Sequence, residues 1–169
     1  MKIFIVGLPG SGKSTLGARL ALRLKVPFLD LDTLIEQEAQ QPIRDIFTQQ
    51  GEAAFREAEQ RALSQVIRDQ PAFVLATGGG APCFHDNMRL MNQSGITLYL
   101  DVPVAVIVER MRGTQLTDRP LLHGLDLGKM EKEYTAKFEK RLPVYRQAHI
   151  TVDHCTPLEE IADRLSARS

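Results

Sequence analysis

The sequence predicts an α/β fold, a three-layer sandwich whose central five-stranded parallel sheet is flanked by helices on both faces. Three observations lead there. Short apolar segments at residues 2–6, 26–29, 73–76, 96–100 and 149–152 read as strands. Amphipathic helical stretches separate them, the alternation that produces parallel strands joined by crossover helices. At 169 residues, 43% of them hydrophobic, the chain is long enough for one domain with a full core. In such sheets ligands bind beyond the carboxyl ends of the strands, so the residues following each strand carry the functional information.

The first strand runs directly into Gly7-Leu8-Pro9-Gly10-Ser11-Gly12-Lys13-Ser14-Thr15, which satisfies the phosphate-binding pattern GxxxxGK[ST]. Glycines let backbone N–H groups curl around an anion while the next helix directs its positive end at the phosphates. Leu16, Leu20 and Leu24 supply the apolar stripe of that helix. Lys13 is placed to reach β- and γ-phosphates, and the Ser14 hydroxyl to ligate Mg²⁺. The fold is thereby of the P-loop NTPase type, and the chain is expected to bind a nucleoside triphosphate.

After the second strand stand Asp30 and Asp32, which in an extended chain project to the same side. Thr33-Leu34-Ile35-Glu36 reads as a capping box that opens the next helix, leaving both aspartates for the site or for solvent. The third strand ends in Thr77-Gly78-Gly79-Gly80, three positions without a Cβ where backbone can approach a ligand closely. A helix over about 52–67 carries Arg56, with Glu52 and Glu59 at i−4 and i+3. A solvated ion pair and an anion-binding role both suit that arginine.

Arg141 falls on the stripe formed by Tyr134, Phe138 and Tyr145, so it either meets an anionic partner or packs its stem at the stripe's edge. Pro143 lacks the N–H that would bond the Glu139 carbonyl, and the helix is expected to kink or end beside Arg141. Residues 113–128, between a helix ending near Arg112 and one beginning near Lys129, read as a long loop. Loops of that length are usually lids or disordered surface segments, and Arg119 on a mobile lid could close over transferring phosphate.

Bulk properties narrow the partners. Twenty-one basic and 21 acidic side chains cancel, so no global field recruits nucleic acid or an anionic membrane. No apolar run approaches the roughly 20 residues that span a bilayer. Cys83 and Cys155 show no metal spacing, and the first residues carry no secretory pattern, which favours a reduced, cytoplasmic location. Nothing in the pattern marks an interface, so a monomer is the default.

Taken together, these segments resemble the shikimate kinase family, within the nucleoside monophosphate kinase-like group of P-loop proteins. The resemblance spans essentially the whole chain. Its carriers are residues 7–15, Phe28-Leu29-Asp30-Leu31-Asp32 with Ile35-Glu36, Ile46-Phe47 through Gly51-Glu52 to Phe55-Arg56 and Glu59, Ala76-Thr77-Gly78-Gly79-Gly80, Arg119-Pro120-Leu121-Leu122, and Arg141 with Tyr145-Arg146. It implies Mg²⁺-dependent transfer of the ATP γ-phosphoryl group to the 3-hydroxyl of shikimate, in aromatic amino acid biosynthesis. It further implies that Asp32, Arg56, Arg141 and the Gly78–Gly80 turn, chiefly Gly79, hold shikimate within an acceptor region of about 32–62. Asp30 would help place Mg²⁺, Arg119 would be the lid arginine, and Arg112 and Pro157 would contact adenine. ATP and ADP bind through Gly10, Ser11, Gly12, Lys13, Ser14 and Thr15. Asp101, which ends the fourth strand, lies outside the site on this resemblance.

Two other readings share the motif. One is a kinase of similar build acting on gluconate or a nucleoside monophosphate; the other is a low-turnover nucleotide-binding switch. Paired arginines with Asp32 favour a carboxylate-bearing polyol over a nucleotide, since a guanidinium fork matches a carboxylate and an aspartate accepts from a hydroxyl.

Overall fold

The computed structural model describes residues 1–118 and 127–168. Its elements are β1 (Lys2–Val6), α1 (Lys13–Leu24), β2 (Phe28–Asp30), α2 (Leu31–Ala39), α3 (Ile43–Asp69), β3 (Phe73–Ala76), α4 (Asn87–Ser94), β4 (Ile96–Asp101), α5 (Val104–Asp118), α6 (Leu127–Tyr145), β5 (Ile150–Asp153) and α7 (Leu158–Ser166), with a short 3₁₀ turn at Ala81–Cys83. The five strands form one sheet in the order β2-β3-β1-β4-β5, every pair parallel. The expected sandwich is therefore present.

Burial follows from the sequence of each strand. Ile3, Phe4, Ile5 and Val6 in β1 and Phe73, Val74 and Leu75 in β3 have no exposed surface, as required of strands covered on both faces. The Phe4 and Phe73 rings meet edge to face at 5.3 Å. β5, at the sheet's edge, instead alternates buried and exposed residues. Because β1 lies between β3 and β4, the chain leaves it first toward one side of the sheet and later returns on the other. The crevice at that reversal, above the end of β1, is where this fold class binds ligands. Register brings the ends of β1, β2 and β3 together there, with Ile5 pairing with Ala76 and Asp30 with Ala76, while β4, whose Tyr99 pairs with Val6, runs on to Asp101.

Several boundaries differ from the sequence reading. β2 starts at Phe28, not Val26, because the Val26 N–H bonds back to Ala21 at the end of α1 and Pro27 has no N–H. The Thr33–Glu36 capping box does not form. Asp30 is the cap of α2, its Oδ1 accepting from Asp32 N at 3.1 Å and Thr33 N at 3.4 Å. Asp32 therefore lies in the first turn of a helix and not on an extended chain. Glu36 has another task, accepting from Ile43 N at 2.9 Å across the link to α3.

The helix expected over 52–67 is the second part of α3, which breaks at Gly51, where φ is 83° and ψ 173°. α6 begins at Leu127, runs through Pro143 and stops at Tyr145, so it continues one turn past Arg141 where an end or kink was expected; Pro143 removes only the one bond to Glu139, and Arg146 N still bonds the Leu142 carbonyl at 3.0 Å. Residues 113–118 are helical, extending α5 to Asp118 where a loop was expected. One glycine in a helix costs only about 1 kcal/mol, too little to end it by itself. Residues 119–126, including Arg119 and half of the expected lid, lie outside the described residues.

Candidate active site

The phosphate loop takes the shape its glycines allow. Gly10 and Gly12 adopt φ of 76° and 100°, a region that side chains resist. Lys13 opens α1 and is almost fully buried, with its Nζ donating to the Gly7 and Leu8 carbonyls at 3.0 and 2.7 Å. Loss of hydration pulls its ammonium pKa down to about 8, against the attraction of Asp32 and Asp30. The next residue of α1, Ser14, donates from its Oγ to Asp30 Oδ2 at 2.7 Å. Asp30 thus joins the end of β2, the start of α2 and the phosphate loop.

Asp32 follows from the same turn. Its carboxyl pKa is raised, first by burial and then by the neighbouring Asp30 charge, with Lys13 opposing. Lys13, Asp30 and Asp32 are thus within electrostatic reach of one another, as the sequence reading required.

α3 supplies the cationic wall. Arg56 Nη1 pairs with Glu59 Oε2 at 2.8 Å, and its Nη2 with Glu52 Oε1 at 3.2 Å. Its guanidinium lies 4.2 Å from the Phe84 ring centre. The arginine is held on several sides, so little side-chain entropy remains to be lost on meeting an anion. Glu59 is fully buried, and its Oε1 has no hydrogen-bond partner among the described residues. Burial raises its pKa, in opposition to the Arg56 hydrogen bond.

The glycine turn after β3 explains its own composition. None of its three residues has positive φ. A Cβ on Gly78 would lie 2.9 Å from Asp32 Oδ1 and 3.0 Å from Glu59 Oε1, and on Gly80 2.7 Å from Arg56 Nη2. On Gly79 it would strike the Pro9 ring at 2.5 Å. At Gly78 and Gly80 the close approach is made by the protein's own charged groups, and at Gly79 by the Pro9 ring.

α6 closes the opposite side. Tyr145, fully buried, donates its hydroxyl to the Gly79 carbonyl at 2.5 Å and stacks on Tyr99 at 5.2 Å. Burial pushes its phenol pKa up to about 12. Arg141, one turn earlier, is half-buried, and its Nη1 is buried with no hydrogen-bond partner among the described residues. Its charge acts on Lys13, Glu59 and Cys83, so it shares the crevice with Arg56. Asp101 accepts from the Tyr99 hydroxyl at 2.9 Å.

Beside the phosphate loop a cavity of about 460 Å³ is lined by Gly10, Ser11, Gly12 and Thr15 and by Arg19, Arg110, His154 and Thr156. Its wall after β5 is a tight turn in which Asp153 Oδ1 accepts from Cys155 N at 2.8 Å and from Thr156 Oγ1 at 2.9 Å. Pro157 caps α7 between the lining residues Thr156 and Leu158. Arg112 is not among the lining residues; its Nη1 lies 3.7 Å from Glu109 Oε2. Sequence reasoning missed Arg19, Arg110 and His154, which belong to no motif, and took Glu59 only as an ion-pair partner.

The Ser14 and Asp30 oxygens form a hard donor set suited to Mg²⁺. Among the described residues no cluster of three or more His, Cys, Asp or Glu side chains could hold a metal. No described helix is long and apolar enough to cross a membrane.

Comparison with known proteins places this geometry. The family model for shikimate kinase matches residues 9–168. A shikimate kinase of Bacteroides fragilis is 41% identical over 169 residues, covering 100% of this chain and 89% of the relative. One from Sulfurihydrogenibium is 39% identical, covering 98% of each. The crystal structure of shikimate kinase from Bacteroides thetaiotaomicron superposes with a TM-score of 0.86 at 38% identity, over 99% of this chain and 97% of the other. That of Acinetobacter baumannii shikimate kinase in complex with shikimate gives 0.81 at 33% identity, over 99% and 91%. A gluconokinase from Sinorhizobium meliloti, 18% identical with a TM-score of 0.57, shares the fold alone. By sequence over its whole length and by structure, the chain belongs to the shikimate kinase family.

Proposed function

We propose that the chain transfers the γ-phosphoryl group of ATP to the 3-hydroxyl of shikimate, giving shikimate 3-phosphate and ADP. The observation that carries this reading is the crevice shared by Asp32, Arg56 and Arg141 next to Lys13. It offers two guanidinium groups for a carboxylate and one carboxylate for a hydroxyl, the functional groups that shikimate displays. Neither gluconate-like nor nucleotide acceptors, nor a switch without turnover, gains support from an observation of comparable weight.

In this mechanism the phosphate loop and Lys13 bind the triphosphate, while Arg56 and Arg141 fix the acceptor's carboxylate. Asp32 accepts the hydrogen of the attacking hydroxyl and takes its proton as the oxygen bonds to phosphorus. Its raised pKa suits that exchange. Ser14 and Asp30 would hold Mg²⁺, which when bound neutralises charge on the phosphate oxygens. Positioning and charge stabilisation account for most of the rate in such transfers.

On sequence grounds the proposal also includes residues 32–62 as the acceptor region, 113–128 as a lid carrying Arg119, Arg112 and Pro157 as adenine contacts, and a monomer working in the cytoplasm. A coupled ADP-release assay with ATP and Mg²⁺ tests the reading, run with shikimate, gluconate, nucleoside monophosphates or no acceptor. Turnover with shikimate alone is expected. Turnover with another acceptor, or none at all, overturns it.

A further inference from the structure

Tyr145 ends α6 with its ring buried on Tyr99, the two planes 29° apart, and its hydroxyl donates to the Gly79 carbonyl, 66 residues away in the chain. The neighbouring carbonyls of the glycine turn are held from within. Ala81 N donates to the Gly78 oxygen at 3.1 Å and Cys83 N to the Gly80 oxygen at 2.9 Å. The middle carbonyl is instead held by a side chain from another element. Burial raises the Tyr145 phenol pKa and the Arg141 charge opposes that rise, so phenol and guanidinium are neighbours.

The donors of the turn are left over. Gly79 and Gly80 are buried, and among the described residues their N–H groups meet no acceptor. Buried backbone donors are nearly always paired, so these point to an acceptor that arrives with a ligand. The Gly79–Gly80 peptide is trans, so its C=O and N–H point in opposite directions. With the Gly79 oxygen turned to Tyr145, the Gly80 N–H faces away from it. Arg56 lies beside the same residue, its Nη2 2.7 Å from where a Gly80 Cβ would stand. A peptide between two glycines reverses at little conformational cost. Reversal here would leave both the phenol hydroxyl and the carbonyl buried without partners, so the hydrogen bond selects one orientation.

We infer that Tyr145 is a positioning residue for the acceptor. Its hydroxyl holds the Gly79–Gly80 peptide so that the Gly80 N–H donates to the acceptor's carboxylate beside Arg56, while Tyr145 itself touches no substrate. The inference rests on the reading that this crevice holds shikimate.

The test is Tyr145→Phe, which keeps the stacked ring and removes only the hydroxyl, with Tyr99→Phe as the control. Tyr99 loses a hydroxyl from the same stack, but one that donates to Asp101 and not to the turn. Steady-state kinetics and calorimetry with shikimate and ADP are run on both variants and the wild-type chain. Loss of one hydrogen bond, felt partly by the ligand, predicts a rise of roughly 5- to 30-fold in the shikimate Kd and KM of Tyr145→Phe. Its ADP Kd and ATP KM should move less than about twofold, as should the shikimate KM of Tyr99→Phe. An unchanged shikimate KM in Tyr145→Phe would overturn the inference. So would equal losses for shikimate and ATP, or the same shikimate loss in Tyr99→Phe, since either would reduce Tyr145 to a packing role. If Tyr145→Phe fails to fold, glycine-labelled wild-type chain decides by NMR: shikimate should shift the Gly80 N–H resonance and protect it from exchange, and an unmoved resonance is contrary to the inference. Absence of shikimate turnover in the wild-type chain would overturn the proposed reaction itself, whereas wild-type turnover beside an unaltered Tyr145→Phe overturns this inference alone.

Discussion

Replacing Lys13 by Met should abolish turnover and yet relieve the folded state of a desolvated charge, an effect best seen as a change in pH dependence. In the fold its ammonium pKa is about 8, against an ordinary 10.5. A lowered folded pKa means the unfolded chain binds more protons between those values, so wild-type stability rises with pH there. At pH 6.5 the full cost is present, roughly 3 kcal/mol at about 1.4 kcal/mol per pKa unit. By pH 9.5 the folded-state lysine is neutral while the unfolded one is still mostly charged, and the remaining cost is roughly 1.5 kcal/mol. Wild type should therefore gain about 2 kcal/mol relative to Lys13→Met between these pH values. Titrating groups that Lys13 does not reach are common to both proteins and cancel in the difference, as does the constant loss of the bonds to Gly7 and Leu8. Urea unfolding of both proteins at four or five pH values measures it. Stability curves parallel within about 0.5 kcal/mol would show that Lys13 is not desolvated, and would refute the reasoning.

Other outcomes follow from the crevice. Asp32→Asn should lower kcat by about 10²- to 10⁴-fold while ATP affinity, measured by calorimetry, stays nearly unchanged; intact activity would remove Asp32 from the mechanism. Since Asp32 is raised above the ordinary 3.8, the acid limb of wild-type kcat/KM should lie above that value, and activity should fall as pH drops through it. Arg141→Ala should raise the shikimate KM by about 10- to 150-fold, the equivalent of a charge-assisted pair of 1.5–3 kcal/mol, and the ATP KM far less. Gly80→Ala puts a methyl group 2.7 Å from an Arg56 guanidinium that Glu52, Glu59 and Phe84 prevent from yielding. It should destabilise by about 1–3 kcal/mol in thermal unfolding and raise the shikimate KM.

Much of this was legible in the chain. The phosphate loop reads directly because each of its positions has a separate physical reason, and the five strands read because both faces of the sheet are buried. Asp30 was misjudged because Thr33–Glu36 fits a capping box as well as Asp30 fits a cap, and only register with Ala76 shows where β2 ends. The helical backbone at 113–118 was hidden by Gly113 and threonines whose propensities are weak. Sequence spacing pairs Arg56 with Glu59 but says nothing of depth; that Glu59 is fully buried comes from packing under the glycine turn.

The most direct test of the central claim is a phosphorus NMR spectrum of the reaction mixture after incubation of the chain with ATP, Mg²⁺ and shikimate. The account predicts one new phosphate monoester, coupled to the proton on carbon 3 of shikimate and equal in amount to the ADP formed. Inorganic phosphate in place of the ester, or phosphate on a different hydroxyl, would contradict it.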